Sequence, residues 1–470
     1  MSSPRKRGPS NLRLSKLGLG GPCHRLAQSG NACVYWVPAF AHCCPGLGGV
    51  SQSARQTWPQ IWAKNRVVRL DFWRSAVRFI PSVFQRLLEP LDRRVVNRIV
   101  AEHGGNRNVG EGEAAWTCQR HLTALLFAQY AGLSSLREIE EGLSSRPTGL
   151  YHLGLRPPRR STLSDASAAR PAAVFGDLCQ YLAAKATRSL RVDSSALIRL
   201  LDATPIPLKG HRFDWAEADA RIRGLKLHLV LDPDEPRPVG FAITSPKVSD
   251  IKAGRAMLAK IEPGTTFVFD KAYTDYAWWQ QIEDAGAFFV TRLKANAHRR
   301  DLRLRPAMGD GILADRSLRI GHKQPRGGAG NPLYDTELRE VVVERQDKPP
   351  LHIVTNDHKR SAVEIADLYR RRWEIELFFK WIKQNLKIKS FLGSSENAVK
   401  IQIFVALIAF LLLHLFRLAC AHGHKAGAKA LITRIKVALF DRLDLTYRAK
   451  PPPRQPNSLP PNPQLNLPIP

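Results

Sequence analysis

Tyr369-Arg-Arg-Arg372-Trp-Glu-Ile-Glu376-Leu-Phe-Phe-Lys-Trp-Ile-Lys383 is the stretch whose reading decides the rest of the chain. It contains no Gly or Pro, and its apolar residues recur at helical spacing, which predicts a single α-helix across it. At about 100° per residue, Tyr369, Arg372, Glu376 and Lys383 fall within roughly 60° of one another. Leu368, Ile375, Phe379, Ile382 and Leu386 form a second stripe beside them. One face can therefore anchor in a core while its edge holds a carboxylate among a phenol and two cations. Periodicity alone leaves two readings open, a solvated charged face beside a core stripe or a site.

Working outward, the region from 191 to 446 changes period to strands. Ala196-Leu-Ile-Arg-Leu-Leu-Asp202 is an apolar run ending in an acid and then Ala-Thr-Pro. Ile222–Leu231 alternates polar and apolar, and Asp232-Pro-Asp-Glu-Pro turns into Val239–Thr244, so the two read as a hairpin-like pair. A helix at about 250–261 leads to Thr265-Thr-Phe-Val-Phe-Asp270, a further strand ending on an acid. A helix at Ala277–Ala285 and a strand at Ala287–Lys294 follow. Residues 295–357 form a basic insertion in which Glu337–Glu344 and Leu351–Thr355 are strand-like.

Three strands, helix, strand, helix, strand, insertion, helix is the order of a ribonuclease H-like mixed sheet. The fold class is thus α/β, with a β-rich insertion before the last catalytic helix and a small all-α domain in front. In such a sheet Asp202 and Asp270 leave neighbouring strand ends, and Glu376 can reach both from a helix packed against the sheet. Three converging carboxylates repel one another unless cations sit between them, and an all-oxygen donor set suits Mg²⁺ or Mn²⁺. Two such ions about 3.5–4 Å apart can activate a water or 3′-hydroxyl and stabilise the departing oxygen at phosphorus.

The spacings Tyr369, Arg372, Glu376, Lys383 match the Tyr-Arg-Glu-Lys motif, and the chain resembles the DDE transposases of the insertion-sequence-4 family. Asp202-Ala-Thr-Pro resembles that family's first acidic motif, and Phe269-Asp270-Lys-Ala-Tyr273 the second, with Ala272 where Gly is common. Leu122–Arg170, including Ser135-Leu-Arg-Glu-Ile and Ser161-Thr-Leu-Ser-Asp-Ala, resembles the N-terminal helical domain of one branch of the family. The resemblance spans roughly residues 78–420.

It implies that Asp202, Asp270 and Glu376 are the catalytic, metal-binding triad. It also implies that Tyr369, Arg372 and Lys383, with Tyr273 beside the second acid, hold phosphates of the transposon end. The expected partners are double-stranded DNA, as terminal inverted repeats and as target, and a second copy of the chain in the synaptic complex. The resemblance further implies nicking, hairpin formation and strand transfer, with a base flipped onto an aromatic of the inserted β region. Tyr334 is the only aromatic residue between 295 and 357. Two other readings stay open: a decayed transposase that only binds DNA, and a tyrosine-type recombinase with Tyr369 as nucleophile and no metal.

Charge supports a polyanionic partner. Lys plus Arg number 71 against 41 Asp plus Glu, a net charge of +30. Ten of the basic residues precede Asp71, the first acid, so the remaining chain still carries +20. Residues 1–76 are rich in Gly, Ser and Pro and are expected to form a poorly structured basic extension. Cys23, Cys33, Cys43 and Cys44 with His24 and His42 make a zinc site conceivable there, although no C-x-x-C pair occurs. Cys118, Cys179 and Cys420 read as buried thiols in a reducing, cytoplasmic (nucleoid-associated) setting.

Residues 77–190 read as a helical DNA-binding domain. Within it Ser134 or Ser135 is expected to cap one helix, and Ser161 or Ser164 to start the next. Ile401–Phe416 is strongly apolar but short for a membrane span and reads as a buried core helix, so no membrane partner is expected. Residues 447–470, with nine prolines from Pro451 onward, are expected to be a disordered tail.

Overall fold

The computed structural model describes residues 81–442, apart from 113, 189–196, 221, 235, 325–328, 387–389 and 420–427. The basic extension, the six-residue zinc possibility, Cys420, the boundary near 190 and the Pro-rich tail all lie outside the described residues.

Seven helices come first: α1 (Val83–Leu88), α2 (Arg93–Glu102), α3 (Cys118–Ala131), α4 (Leu136–Ser144), α5 (Pro147–Leu150), α6 (Arg160–Ala169) and α7 (Ala172–Arg188). Ser82 and Gln85 close a reciprocal capping box on α1. Ser135 caps α4 by accepting the Glu138 N–H. The start of α6 departs from expectation, because it begins at Arg160 with no side-chain cap of its own. The Glu140 carboxylate on α4 accepts the Arg160 N–H at 3.0 Å instead, so a neighbouring helix satisfies the open end. Cys118 and Cys179 are buried thiols, as expected.

The sheet and its helices follow in the order β1 (Ile198–Pro207), β2 (Gly224–Asp232), β3 (Arg237–Thr244), α8 (Asp250–Met257), β4 (Thr266–Phe269), α9 (Tyr276–Asp284) and β5 (Phe288–Arg292). Then come β6 (Arg299–Arg305), β7 (Ile312–Ile320), β8 (Leu338–Val343), β9 (Leu351–Thr355), α10 (Ala362–Arg370), α11 (Trp373–Asn385), α12 (Glu396–Ala419) and α13 (Ala428–Ala438). All nine strands join one sheet in the order β3-β2-β1-β4-β5-β9-β8-β7-β6. β1, β4 and β5 are parallel, and the other pairs are antiparallel. The insertion therefore extends the main sheet through β9.

Strand alternation sends neighbouring side chains to opposite layers. Leu200, Leu229 and Val268 face a core built with α10, α11, α12 and the N-terminal helices. Leu201, Val230 and Phe269 face a smaller one built on Trp278 and Trp279 of α9. α12 is long and apolar enough to cross a membrane by length and composition, yet 83 % of its most apolar window is buried in the protein. Tyr130 of α3 donates to its Ala409 carbonyl at 2.8 Å, so α12 is the core helix expected.

Two differences from the sequence reading matter for the site. β6 and β7 add two strands to the insertion ahead of the two strand-like runs read in the sequence. Ion pairs of Arg299 and Arg316 with the buried Glu340, and of Arg303 with Glu337, tie these charged strands to β8 and the residue before it. The single helix expected over Tyr369–Lys383 is two helices, parted at Arg371 and Arg372. The N–H groups of Arg372, Glu374 and Ile375 bond three residues back, to Tyr369, Arg371 and Arg372, and these tighter i→i+3 bonds change the helix direction.

Candidate active site

β1 and β4 run parallel with Leu201 beside Phe269, so Asp202 and Asp270 are the next residues on two adjacent chains. β4 stops there, whereas β1 continues to Pro207. Asp202 is thus in mid-strand and not at the strand end expected. Beyond Leu201 the strand has β2 alone as a neighbour, and an open edge tolerates Pro205 and Pro207, which lack an N–H to donate. The notch left by β4 is where the acids stand.

α10 and α11 supply the other side. The Tyr369 hydroxyl, on the last turn of α10, donates to Asp270 Oδ1 at 3.4 Å. Glu376 lies in the first turn of α11, which packs against β1. Arg372, at the junction, places Nη1 2.7 Å from Glu376 Oε1 and 4.0 Å from Asp202 Oδ2. Its guanidinium carbon lies 5.7 Å from the centre of the Tyr369 ring and 5.8 Å from that of Trp373. Further along α11, Lys383 Nζ donates to Thr204 Oγ1 at 2.5 Å. A cleft of about 320 Å³ between β1 and α11 is lined by Asp202, Thr204, Glu376, Lys380, Lys383 and Gln384.

Asp202 is only 22 % exposed in its side chain. Burial pushes its carboxyl up to about 6, and the Glu376 and Asp270 charges add to the rise. The Ala203 N–H and the Arg372 guanidinium pull the other way. This is an acid held where a proton or a cation is wanted. Among the described residues, no three Asp, Glu, His or Cys side chains close to metal-ligand spacing. Asp202 and Glu376 share a guanidinium, and Asp270 stands on the neighbouring strand, near enough for its charge to raise the Asp202 carboxyl. Their donor set, all carboxylate oxygen and one member desolvated, fits a hard divalent cation.

Tyr273 is 1 % exposed. The 3₁₀ turn after β4 folds it back onto the α8 face, its ring 5.8 Å from that of Phe269 and close under Gly254. Burial raises the pKa of its hydroxyl, which has no hydrogen-bond partner. Tyr369 is buried as well, with its hydroxyl on a carboxylate, which leaves the nucleophile reading without support. Thr204 and Lys380 went unread in the sequence. Thr204 was legible by strand alternation two residues after Asp202, and Lys380 by its place four residues after Glu376. Tyr334 sits half-buried on the turn before β8.

A 3-2-1-4-5 strand order carrying two acids at adjacent strand positions, with a third acid on a helix across the sheet, defines a ribonuclease H-like nucleotidyl transferase. The family model described as Transposase DDE domain matches residues 193–412. A domain of unknown function, DUF4372, matches residues 81–156. The chain is 42 % identical over 306 residues to transposase y4zB of Sinorhizobium fredii, covering 64 % of this chain and 83 % of that one. It is 27 % identical over 340 residues to the transposase of insertion sequence element IS5377 of Geobacillus stearothermophilus, covering 71 % and 84 %. A looser likeness, with TM-score 0.46 and 8 % identity over 77 % of this chain and 81 % of the other, is to the piggyBac transposase in a synaptic complex with hairpin DNA. The chain belongs to the DDE transposases of insertion sequences, enzymes of DNA transposition that work with divalent metal ions.

Proposed function

We propose that Asp202, Asp270 and Glu376 are the residues with which this transposase cuts and rejoins DNA at the ends of its insertion sequence. The observation that carries this reading is that Asp202 and Glu376 share the Arg372 guanidinium while Asp270 stands on the strand beside Asp202, close enough for its charge to act on it. The three carboxylates would hold one or two Mg²⁺ or Mn²⁺ ions, which supply Lewis acidity toward phosphate oxygens and an activated water or 3′-hydroxyl. Tyr369 orients the Asp270 carboxylate through its hydroxyl. Lys383, steadied by Thr204, and Lys380 present positive charge to the DNA backbone along α11.

The helical region 77–190 is the second DNA contact in this reading. Its exposed Arg146, Arg156, Arg159 and Arg160 flank the exposed Tyr151 on one connected stretch. Two copies would pair two ends, in a bacterial cytoplasm, around the nucleoid.

The test uses the full chain and a linear duplex containing the element with its flanks. Cleavage at the element ends is expected in Mg²⁺ and is expected to stop in EDTA. A covalent protein–DNA adduct that forms in EDTA would overturn the reading.

A further inference from the structure

We propose that Arg372 is the built-in counterion of the acidic site, occupying the cation position until a divalent ion takes it, so that ion binding requires the guanidinium to swing away. The inference rests on the triad assignment above and goes beyond it. The bridging nitrogen lies 2.7 Å from Glu376 and 4.0 Å from Asp202, so one cation already serves two of the three acids. Its side chain is only 11 % exposed, and Nε is buried with no hydrogen-bond partner. Here the group is held by charge and by the faces of Tyr369 and Trp373, contacts that permit rotation about its long stem. The tight turn at Arg371 and Arg372 puts it at the junction of α10 and α11, outside the regular turns of either helix.

The consequence is competition. The arginine offsets part of the charge of Glu376 and Asp202, and the same arginine weakens their hold on a divalent ion. A carboxylate pair whose organic cation is removed is left uncompensated, which lowers stability until another cation replaces it.

The test is Mn²⁺ binding by the full-length, DNA-free protein, read by electron paramagnetic resonance and calorimetry. Arg372→Ala is expected to bind Mn²⁺ about tenfold more tightly than wild type, within the range for coupled sites. In EDTA the variant should melt below wild type, and Mn²⁺ should close that gap. If Arg372→Ala does not fold, Arg372→Gln poses the same question with the side-chain length retained. Equal or weaker Mn²⁺ affinity in either folded variant overturns the counterion role while leaving the triad intact. If wild type and both variants bind no Mn²⁺, and Glu376→Ala changes nothing, the triad assignment fails and this inference with it.

Discussion

Asp202 links burial to pH in a way that can be measured. An unfolded aspartate loses its proton near pH 3.9, and Asp202 in the fold near 6. Between those values the folded chain holds the extra proton, so stability of the cation-free protein falls as pH rises through the window, by about 3 kcal/mol in all. Asp202→Asn should flatten that slope and leave the cation-free protein more stable than wild type at pH 7. Urea titrations in EDTA across the window check it, and an unchanged slope would contradict the burial argument. Thr204→Val removes the acceptor for Lys383 while nearly keeping its shape. It should weaken binding of element DNA by about tenfold, the worth of one hydrogen bond to a charged group, with the circular dichroism unchanged. At this scale the three acids proposed to act together were legible because they and the helix spacing stand in the sequence. The burial of Tyr273 was not legible, because adjacency to Asp270 says nothing of which side of the sheet a turn sends the ring. Thr204 was missed because Asp202-Ala-Thr-Pro looks like the end of a strand.

Among the elements, the β1–β2 ladder holds the notch open, and it depends on a close approach. Gly224 sits at φ +154°, and a β-carbon there would lie 2.2 Å from the Ile206 carbonyl oxygen. Gly224→Ala should destabilise the fold by about 2 kcal/mol or more, since the obstacle is backbone and cannot rotate aside. A thermal unfolding midpoint within a degree of wild type would show that the ladder relaxes. α10 begins with a capping box of Ser361 and Glu364, and Ser361→Ala should remove about 1 kcal/mol by the same measurement. The five-strand order was readable from runs of apolar residues ending in acids. The break between α10 and α11 was not, because Arg370-Arg-Arg-Trp373 contains no helix breaker. It arises from tertiary partners: Arg371 reaches Asp234 at 2.8 Å and Tyr369 reaches Asp270. β6 was hidden for a similar reason, as its arginines find their acids only once β7 and β8 are beside them.

The whole molecule carries +30 of formal charge, and Lys380 and Lys383 line the cleft beside Asp202 and Glu376. Binding of element DNA should therefore be steeply salt-dependent, falling about a thousandfold or more between 50 and 200 mM salt if six or more phosphates are neutralised. A shallow salt slope would point to a smaller contact than the full basic surface. The central claim is that Asp202, Asp270 and Glu376 act as one unit on DNA. Its most direct test is end cleavage in Mg²⁺ by Glu376→Gln, with DNA binding measured on the same preparation. Cleavage should disappear while DNA affinity stays within a few-fold of wild type. Cleavage that persists in a DNA-binding Glu376→Gln protein would contradict it.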